Sequence, residues 1–353
     1  MNLRRALDSS VARKWVRQAQ FWMTYNRGWE RAAYPPLVIN VEPTNLCNLR
    51  CPFCPVSQNA KNPAVSRGFI QVDLVKRLAG EFAAWKPMIA INLGGESTLH
   101  RDLPEIVRLL SDAGCYVFLD TNANLLSPQI TDQLVPSGLS EIVFCIDGDG
   151  DAPSYAAMRV RGDLDRAIAN ARYFIERART SARPIKTIVK NIRYYRPGVP
   201  LEVADPLRLR FEGAEPTLFR GSWADYWPGD HAERLAKTYE VEPFERGRYS
   251  PCTNLWKKLA ISWDGKVFAC CLDLNRTVEI GDLRRQSVME VWNGEGMRAM
   301  RRMHREQRQH ESDLCRSCTM IQRPPKSRFA GILNLRTERF TPFADRPGRT
   351  TGG

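Results

Sequence analysis

The sequence predicts an α/β protein: repeated strand–helix units along the front of the chain, followed by a small β-hairpin/helix unit rich in cysteine. Three observations carry this. Short apolar runs alternate with amphipathic ones from residue 35 to about residue 179. Ten cysteines fall into two groups, 47/51/54 and 252/270/271/315/318, with Cys115 and Cys145 alone inside apolar segments. Two apolar runs at 261–263 and 267–269 flank Asp264-Gly265, a turn pair typical of hairpins.

Residues 1–33 read as a basic amphipathic helix. Leu3, Leu7, Val11, Trp15 and Val16, with Phe21 and Trp22 further on, stand among Arg4, Arg5, Arg13, Lys14 and Arg17. Such a helix packs on its own domain or rests on an anionic membrane surface, so peripheral membrane contact stays open. Residues 34–245 carry the strand–helix repeats. Strands are expected at 37–41, 88–93, 116–120 and 142–146. Helices are expected at 73–85, where Leu74, Val75, Leu78 and Phe82 share one face, and at 103–113, 128–134 and 164–179. Repeated βα units imply a parallel sheet or barrel with helices outside, and ligands at the carboxyl ends of the strands. The cysteine loop, Gly94-Gly95-Glu96 and Asp147 each directly follow a strand, so they gather on one face. Residues 182–250 are rich in Pro, Arg and aromatics, with two further strands expected near 185–189 and 207–211. Residues 246–335 form the hairpin/helix unit, and 336–353 lack a core-forming pattern and are expected to be disordered.

The chain of 353 residues is 43% hydrophobic and 26% charged, ordinary values for a water-exposed globular protein. No apolar run is long enough for a membrane span or a signal-peptide core, so a cytoplasmic location is expected. The cysteine grouping is that of metal or cluster ligands in a reducing compartment, not a disulfide framework. The net charge of +13 is that of a partner with an anionic group, such as an anionic small molecule, or of a solvated basic face. No nucleic acid is expected, because no recognised module is present and the arginines are spread along the chain.

The spacing Cys47-x3-Cys51-x2-Cys54 follows an apolar strand. Three thiolates on one tight loop can hold three irons of a [4Fe–4S] cluster and leave the fourth iron open. A zinc knuckle or a four-cysteine ferredoxin site is the alternative, but no further Cys or His follows until His100. The run resembles the signature of the radical S-adenosylmethionine (SAM) enzymes. The resemblance implies a partial (βα)6-type barrel. It also implies an open iron that chelates the amino and carboxylate groups of SAM. An electron from a donor such as flavodoxin or ferredoxin splits the sulfonium, and the resulting 5′-deoxyadenosyl radical abstracts hydrogen from a substrate carbon.

The second group is Cys252, Cys270, Cys315 and Cys318, with gaps of 18, 45 and 3. A hairpin delivers Cys270, and a Cys-x2-Cys turn adds two thiolates, enough to close a second [4Fe–4S] cluster; a structural zinc is the alternative. The arrangement resembles the SPASM, or twitch, domain that follows radical SAM barrels. Pro251-Cys252, Trp263-Asp264-Gly265, Ile280-Gly281-Asp282-Leu283 and Val291-Trp292-Asn293-Gly294 support it. With no cysteine after Cys318, one auxiliary cluster is expected. Cys271, next to Cys270 on a strand, points to the other face and is not expected to ligate.

The resemblance assigns Gly94-Gly95-Glu96 to the amino end of SAM, the glycines allowing close approach and the carboxylate pairing the ammonium. Ser97 stands where the family has Pro. Phe53 contacts adenine or is a core aromatic. Asn122 contacts a ligand or is a turn residue, and Ala123 stands where the family has Gly. Cys145 and Asp147 share one side of a strand end, Cys145 in place of the family's Ser. Cys145 is a hydrogen-atom donor or a small buried filler, and Cys271 is a second candidate donor. Asp147 or Glu202 is the candidate base. Cys115 and His100 read as structural, and His304 and His310 as solvent-exposed on a polar helix. The aromatic run 223–227 suits a sugar face or a core. The implied reaction oxidises or epimerises a polyhydroxylated, sugar- or cyclitol-like small molecule. Alternatives are a maturase acting on a ribosomally made peptide, and a non-enzymatic, membrane-associated iron–sulfur protein.

Overall fold

A computed structural model of the chain describes residues 10–63, 65–195, 198, 202–224, 249–316, 318 and 321. In chain order its main elements are α1 (Ser10–Asn26), β1 (Val38–Val41), α2 (Pro55–Asn59), α3 (Val72–Phe82), β2 (Met88–Ile91), α4 (Leu103–Asp112), β3 (Tyr116–Thr121), α5 (Pro128–Leu134), β4 (Glu141–Cys145), α6 (Ala152–Met158), α7 (Leu164–Arg179), β5 (Lys186–Arg193), α8 (Asp205–Leu209), β6 (Leu218–Trp223), β7 (Lys258–Ile261), β8 (Lys266–Phe268), β9 (Glu279–Asp282), α9 (Val288–Trp292), α10 (Glu295–Arg305) and α11 (Asp313–Arg316). Local signals start the helices: the Asp163 side chain caps α7 by accepting from Arg166 N–H, and Ser287 with Glu290 closes a capping box on α9.

The strands form one sheet in the order β6-β5-β4-β3-β2-β1-β7-β8-β9. Strands β1 to β6 pair in parallel, as the βα repeats require. β7 also pairs in parallel with β1, Val38 opposite Lys258 and Val41 opposite Ile261. The C-terminal hairpin β7–β8 therefore extends the same sheet, with Gly265 at φ +82° in its turn. One sheet face, carrying Ile39, Ile89, Val117, Leu119, Ile142, Phe144 and Val189, packs under α3, α4 and α7 in the hydrophobic core. The face turned away from these helices carries Asn40, Phe118, Asp120, Cys145, Lys190 and Arg220, which share that side by register and alternation.

Two expectations are corrected. Residues 207–211 are not a strand: Asp205-Pro206 starts α8, with the proline in its first turn, and Leu207 and Phe211 are buried as helix-side anchors. The last parallel strand is β6, which the sequence hides behind Arg220 and Gly221. The proposed boundary at residue 245, residues 225–227 of the aromatic run and the tail 336–353 lie outside the described residues.

The described part of the N-terminal helix ends at Asn26, short of residue 33, and its inner face packs on the C-terminal part of the chain. Phe21 is buried, and the Tyr25 ring meets Trp256 edge-on while its hydroxyl donates to Pro251 O at 2.8 Å. The following segment is stitched to the same region. Tyr34 donates to Trp256 O at 2.7 Å, and Trp292 Nε1 donates to Tyr34 O at 2.8 Å. Fully buried Arg301 lies over the Trp292 ring and donates to Leu255 O and Glu30 O. Trp15, Val16 and Met23 remain exposed on the outer side.

Removing the Phe21 ring leaves a cavity at this junction, so Phe21→Ala is expected to lower stability by about 3 kcal/mol, measured by urea unfolding. Gly95 sits at φ +74°, and a β-carbon there would lie 2.4 Å from both Leu46 O and Thr44 O. Gly95→Ala is expected to cost at least about 2 kcal/mol and to reduce iron loading of the reconstituted protein, measured by thermal unfolding and iron analysis.

Candidate active site

The cysteine loop leaves the carboxyl end of β1 and turns tightly, with Cys54 N–H donating to Cys51 O at 3.1 Å. Leu49 N–H points at Cys47 Sγ (3.4 Å), and Arg159 Nη1 lies 3.7 Å from Cys51 Sγ. Burial pushes the Cys47 thiol up to about 12, with Glu96 and the other two thiols adding to it. Burial and the nearby Cys51 push Cys54 up to about 11. Burial also raises Cys51, against the opposing pull of Arg159. Three crowded thiols, approached by N–H donors, ionise when metal holds the charge, and soft thiolates suit iron–sulfur clusters. The donor set fits the expected cluster.

The Gly94-Gly95-Glu96 run packs directly on this loop, Glu96 N–H donating to Leu46 O at 2.7 Å. The Glu96 carboxylate, expected at the amino end of SAM, also takes donors from the protein itself. Oε1 accepts from Thr98 Oγ1 (2.8 Å) and Thr121 Oγ1 (2.7 Å), and Oε2 accepts from Asn122 N–H (2.8 Å). It thereby braces the turn after β3. In that turn Ala123 adopts φ +61°, the left-handed conformation for which the family's glycine is suited. Asn122 Nδ2 donates to Asn48 Oδ1 at 3.0 Å, so it reaches the cysteine loop. Phe53 is half-buried, with the Arg159 guanidinium 5.7 Å above its ring.

Asp147 is placed differently from a free base. It is 1% exposed, its Oδ2 is paired with Arg159 Nη2 at 2.7 Å, and its Oδ1 accepts Ile192 N–H at 2.9 Å. Glu202, the other candidate, is exposed outside any strand. A further buried carboxylate on the face away from the helices is Asp120 of β3. Burial raises its carboxyl above the ordinary value, with Lys190 and Asn92 pulling the other way. Cys145 is partly accessible and not sealed in the core, and burial with Asp120 nearby pushes its thiol up to about 12. Cys145 on β4 lies opposite Lys190 on β5, which lies opposite Arg220 on β6. The face away from the helices thus carries a row of polar groups level with the end of β4.

The second group surrounds the far end of α10. Burial, with Cys318 and Cys315 acting in the same direction, raises the Cys252 thiol above the ordinary range, and neighbouring Cys271, with burial, raises that of Cys270. Cys270 and Cys271 follow β8, Cys270 after the bend at Ala269 and Cys271 at the start of a turn, so strand alternation no longer separates them, and Leu272 N–H points at Cys270 Sγ at 3.4 Å. Burial and Cys318 push Cys315 up to about 12. This set too has the donor chemistry of a cluster. His304 is corrected: it is fully buried, not solvent-exposed, with Nε2 3.4 Å from Cys315 Sγ. Burial lowers it to about 4, so the ring is neutral at neutral pH. His310 is exposed as expected, His100 is buried with Nε2 2.9 Å from Ile70 O, and Cys115 is core.

Sequence reasoning missed Glu42, Asp120, Arg159, Lys190 and His304. Glu42 had a visible signal, an acidic residue at the end of a buried strand. Its Oε1 accepts from Gly94 N–H (3.1 Å), and its Oε2 from Ser262 Oγ (2.7 Å) and Arg276 Nη2 (3.0 Å). These residues, with Cys47, Arg50 and Asp273, line a cavity between the cysteine loop and the C-terminal hairpin. Asp120 and Lys190 were visible only as single charges inside strand-like runs.

Comparison with known proteins agrees with this layout. The model for the radical SAM superfamily matches residues 41–199, and the SPASM model, an iron–sulfur cluster-binding domain, matches residues 252–319. An AdoMet-dependent heme synthase of Methanosarcina barkeri is 36% identical over 135 residues, 38% of each chain. A PqqA peptide cyclase of Rhodopseudomonas palustris is 34% identical over 116 residues, 32% of this chain and 29% of the cyclase. The match thus spans well under half the length of either relative. A PqqA peptide cyclase of Xanthomonas euvesicatoria pv. vesicatoria is 25% identical over 287 residues, 74% of this chain and 75% of its own. Among solved structures, BtrN in complex with AdoMet and 2-DOIA superposes with a TM-score of 0.52 at 16% identity, covering 81% of this chain and 93% of BtrN. Streptococcus suis SuiB bound to S-adenosylmethionine gives 0.52 at 19% identity, covering 84% and 75%, and both are likenesses of fold. With a cysteine loop at the end of its first strand, a second thiol group on the extending hairpin and both family models matched in that order, the chain belongs to the radical SAM superfamily and carries a SPASM-type iron–sulfur domain.

Proposed function

We propose that this chain is an enzyme that removes a hydrogen atom from a carbon of a polar, polyhydroxylated small molecule held against the inner sheet face, and then oxidises or inverts that carbon. The observation that carries this reading is the in-register row Cys145–Lys190–Arg220 with Asp120 beside it. It lies at the carboxyl end of β4, the end of the parallel sheet from which the cysteine loop also leaves.

Cys47, Cys51 and Cys54 would hold the first cluster with SAM, and Cys252, Cys270, Cys315 and Cys318 the second. When bound, these groups supply one-electron chemistry: reductive cleavage of SAM with an external reductant of flavodoxin or ferredoxin type, and electron exchange at the auxiliary site. The chain's own residues do the rest. Glu96 fixes the turn carrying Asn122. Arg159, tied to Asp147, sets a positive charge beside Cys51. Lys190 and Arg220 present cationic N–H groups on this face, Asn40 donates to Asn92 beside them, and Asp120 takes a hydroxyl proton if the carbon is oxidised. If the carbon is inverted, Cys145 gives its S–H hydrogen atom to the carbon, and one electron and one proton return to its sulfur afterwards.

A peptide substrate is the second reading. The Xanthomonas peptide cyclase, aligned over 74% of this chain, is the observation that favours it.

Anaerobically reconstituted protein, reductant, SAM and candidate substrates provide the test, read as 5′-deoxyadenosine and product. Cys51→Ala is expected to lose one cluster's iron and all SAM cleavage while its unfolding temperature shifts by only a few degrees; undiminished cleavage would sink the proposal. In D2O, inversion through Cys145 places deuterium on the product carbon, and Cys145→Ala forms 5′-deoxyadenosine without inverted product. Oxidation instead leaves Cys145→Ala active, and Asp120→Asn slows product formation by about 100-fold.

A further inference from the structure

We propose that His304 is a positioning residue for the auxiliary centre: its Nε2–H donates to the sulfur of Cys315 and makes the cluster held there easier to reduce. The inference rests on the reading that Cys252, Cys270, Cys315 and Cys318 are the ligands.

The proton can be placed from the hydrogen bonds. Nδ1 of His304 accepts the backbone N–H of Cys252 at 3.3 Å. A ring nitrogen that accepts carries no proton, so the neutral imidazole carries its proton on Nε2. Tyr249, whose hydroxyl lies 3.1 Å from Nδ1, donates to His304 O at 2.7 Å, so its proton is spent on the carbonyl. Nε2 then faces Cys315 Sγ at 3.4 Å as a donor.

The imidazole therefore bridges two ligands, Cys252 through its main chain and Cys315 through its sulfur. It is fully buried in the last turn of α10, and the Tyr249 ring stacks beside it at 6.4 Å. A hydrogen bond to a thiolate sulfur draws off electron density and favours the reduced, more negative cluster. The first centre has a different device: the charged Arg159 near Cys51, itself tied to Asp147.

EPR-monitored redox titration of the holoprotein tests this, with SAM added to displace the first cluster's signal. Asparagine can keep an acceptor at the Nδ1 position but has no atom at Nε2, whereas glutamine can place an amide N–H near Nε2. His304→Asn is expected to shift the reduction equilibrium of the auxiliary cluster about tenfold toward the oxidised state, ~59 mV for one electron. His304→Gln should recover most of that shift, and the first cluster should not move. A wild-type potential in His304→Asn, or equal shifts in both variants, overturns the proposal. Should the variants fail to hold iron, wild-type protein labelled with ¹⁵N-histidine decides by pulsed EPR. A weak coupling to one imidazole nitrogen is expected; no coupling, or the strong coupling of a directly bound nitrogen, overturns it. If Cys315→Ala retains its full iron content, the ligand reading itself fails, whereas loss of that iron with an unmoved His304→Asn potential removes only the role of His304.

Discussion

The double parallel pairing of β1 is the constraint on which the rest depends. This strand of four residues, all buried, lies between β2 and β7, so the loop leaving its carboxyl end is flanked by the glycine run on one side and the C-terminal hairpin on the other. Glu42, the next residue, closes the seam. Its buried carboxylate takes donors from Gly94, Ser262, Trp263 and Arg276. An ion pair so enclosed adds little net stability, but removing one partner strands the other's charge at about 3–5 kcal/mol, so the geometry is strongly enforced. The two cysteine groups are thereby fixed by one sheet and not by the packing of two independent units.

Much of this was legible because parallel strands covered by helices leave apolar runs, and because ligand spacing is itself chemistry. Residues 164–179 were readable as α7, and the hairpin turn was readable at Asp264-Gly265. What misled was alternation without context. Residues 207–211 alternate like a strand, yet a proline after Asp205 had already set helical geometry. β6 was missed for the converse reason: its Arg220 faces a polar interior, where an apolar residue was sought.

The site divides along the same line. Cysteine positions carry their role in their identity, so both groups could be read from the sequence. Carboxylates do not. Glu96 and Asp147 were assigned outward-facing work, and both turned out to be held by donors that no local pattern reveals: Thr121 and Asn122 from the next strand end, and Arg159 from the end of a short helix. His304 misled because its neighbours Arg302 and Arg305 are charged. Its spacing from Met297, Met300 and Arg301 places it on the inner stripe, and burial of Arg301 over Trp292 shows that this stripe tolerates cations where aromatic faces and carbonyls receive them.

This distribution of charge also bears on what the inner face can hold. The overall excess of +13 invited an anionic ligand. Near the reacting end of the sheet, however, cations and carboxylates are interleaved: Arg159 is bound to Asp147, and Lys190 opposes the burial of Asp120. Paired charges offer strong, directional hydrogen bonds while adding little net potential, which favours a ligand rich in hydroxyls or carrying both signs over one bearing a large negative charge. On the outer surface Arg108, Arg177 and Arg179 are likewise paired with carboxylates, so these arginines too add little net charge there.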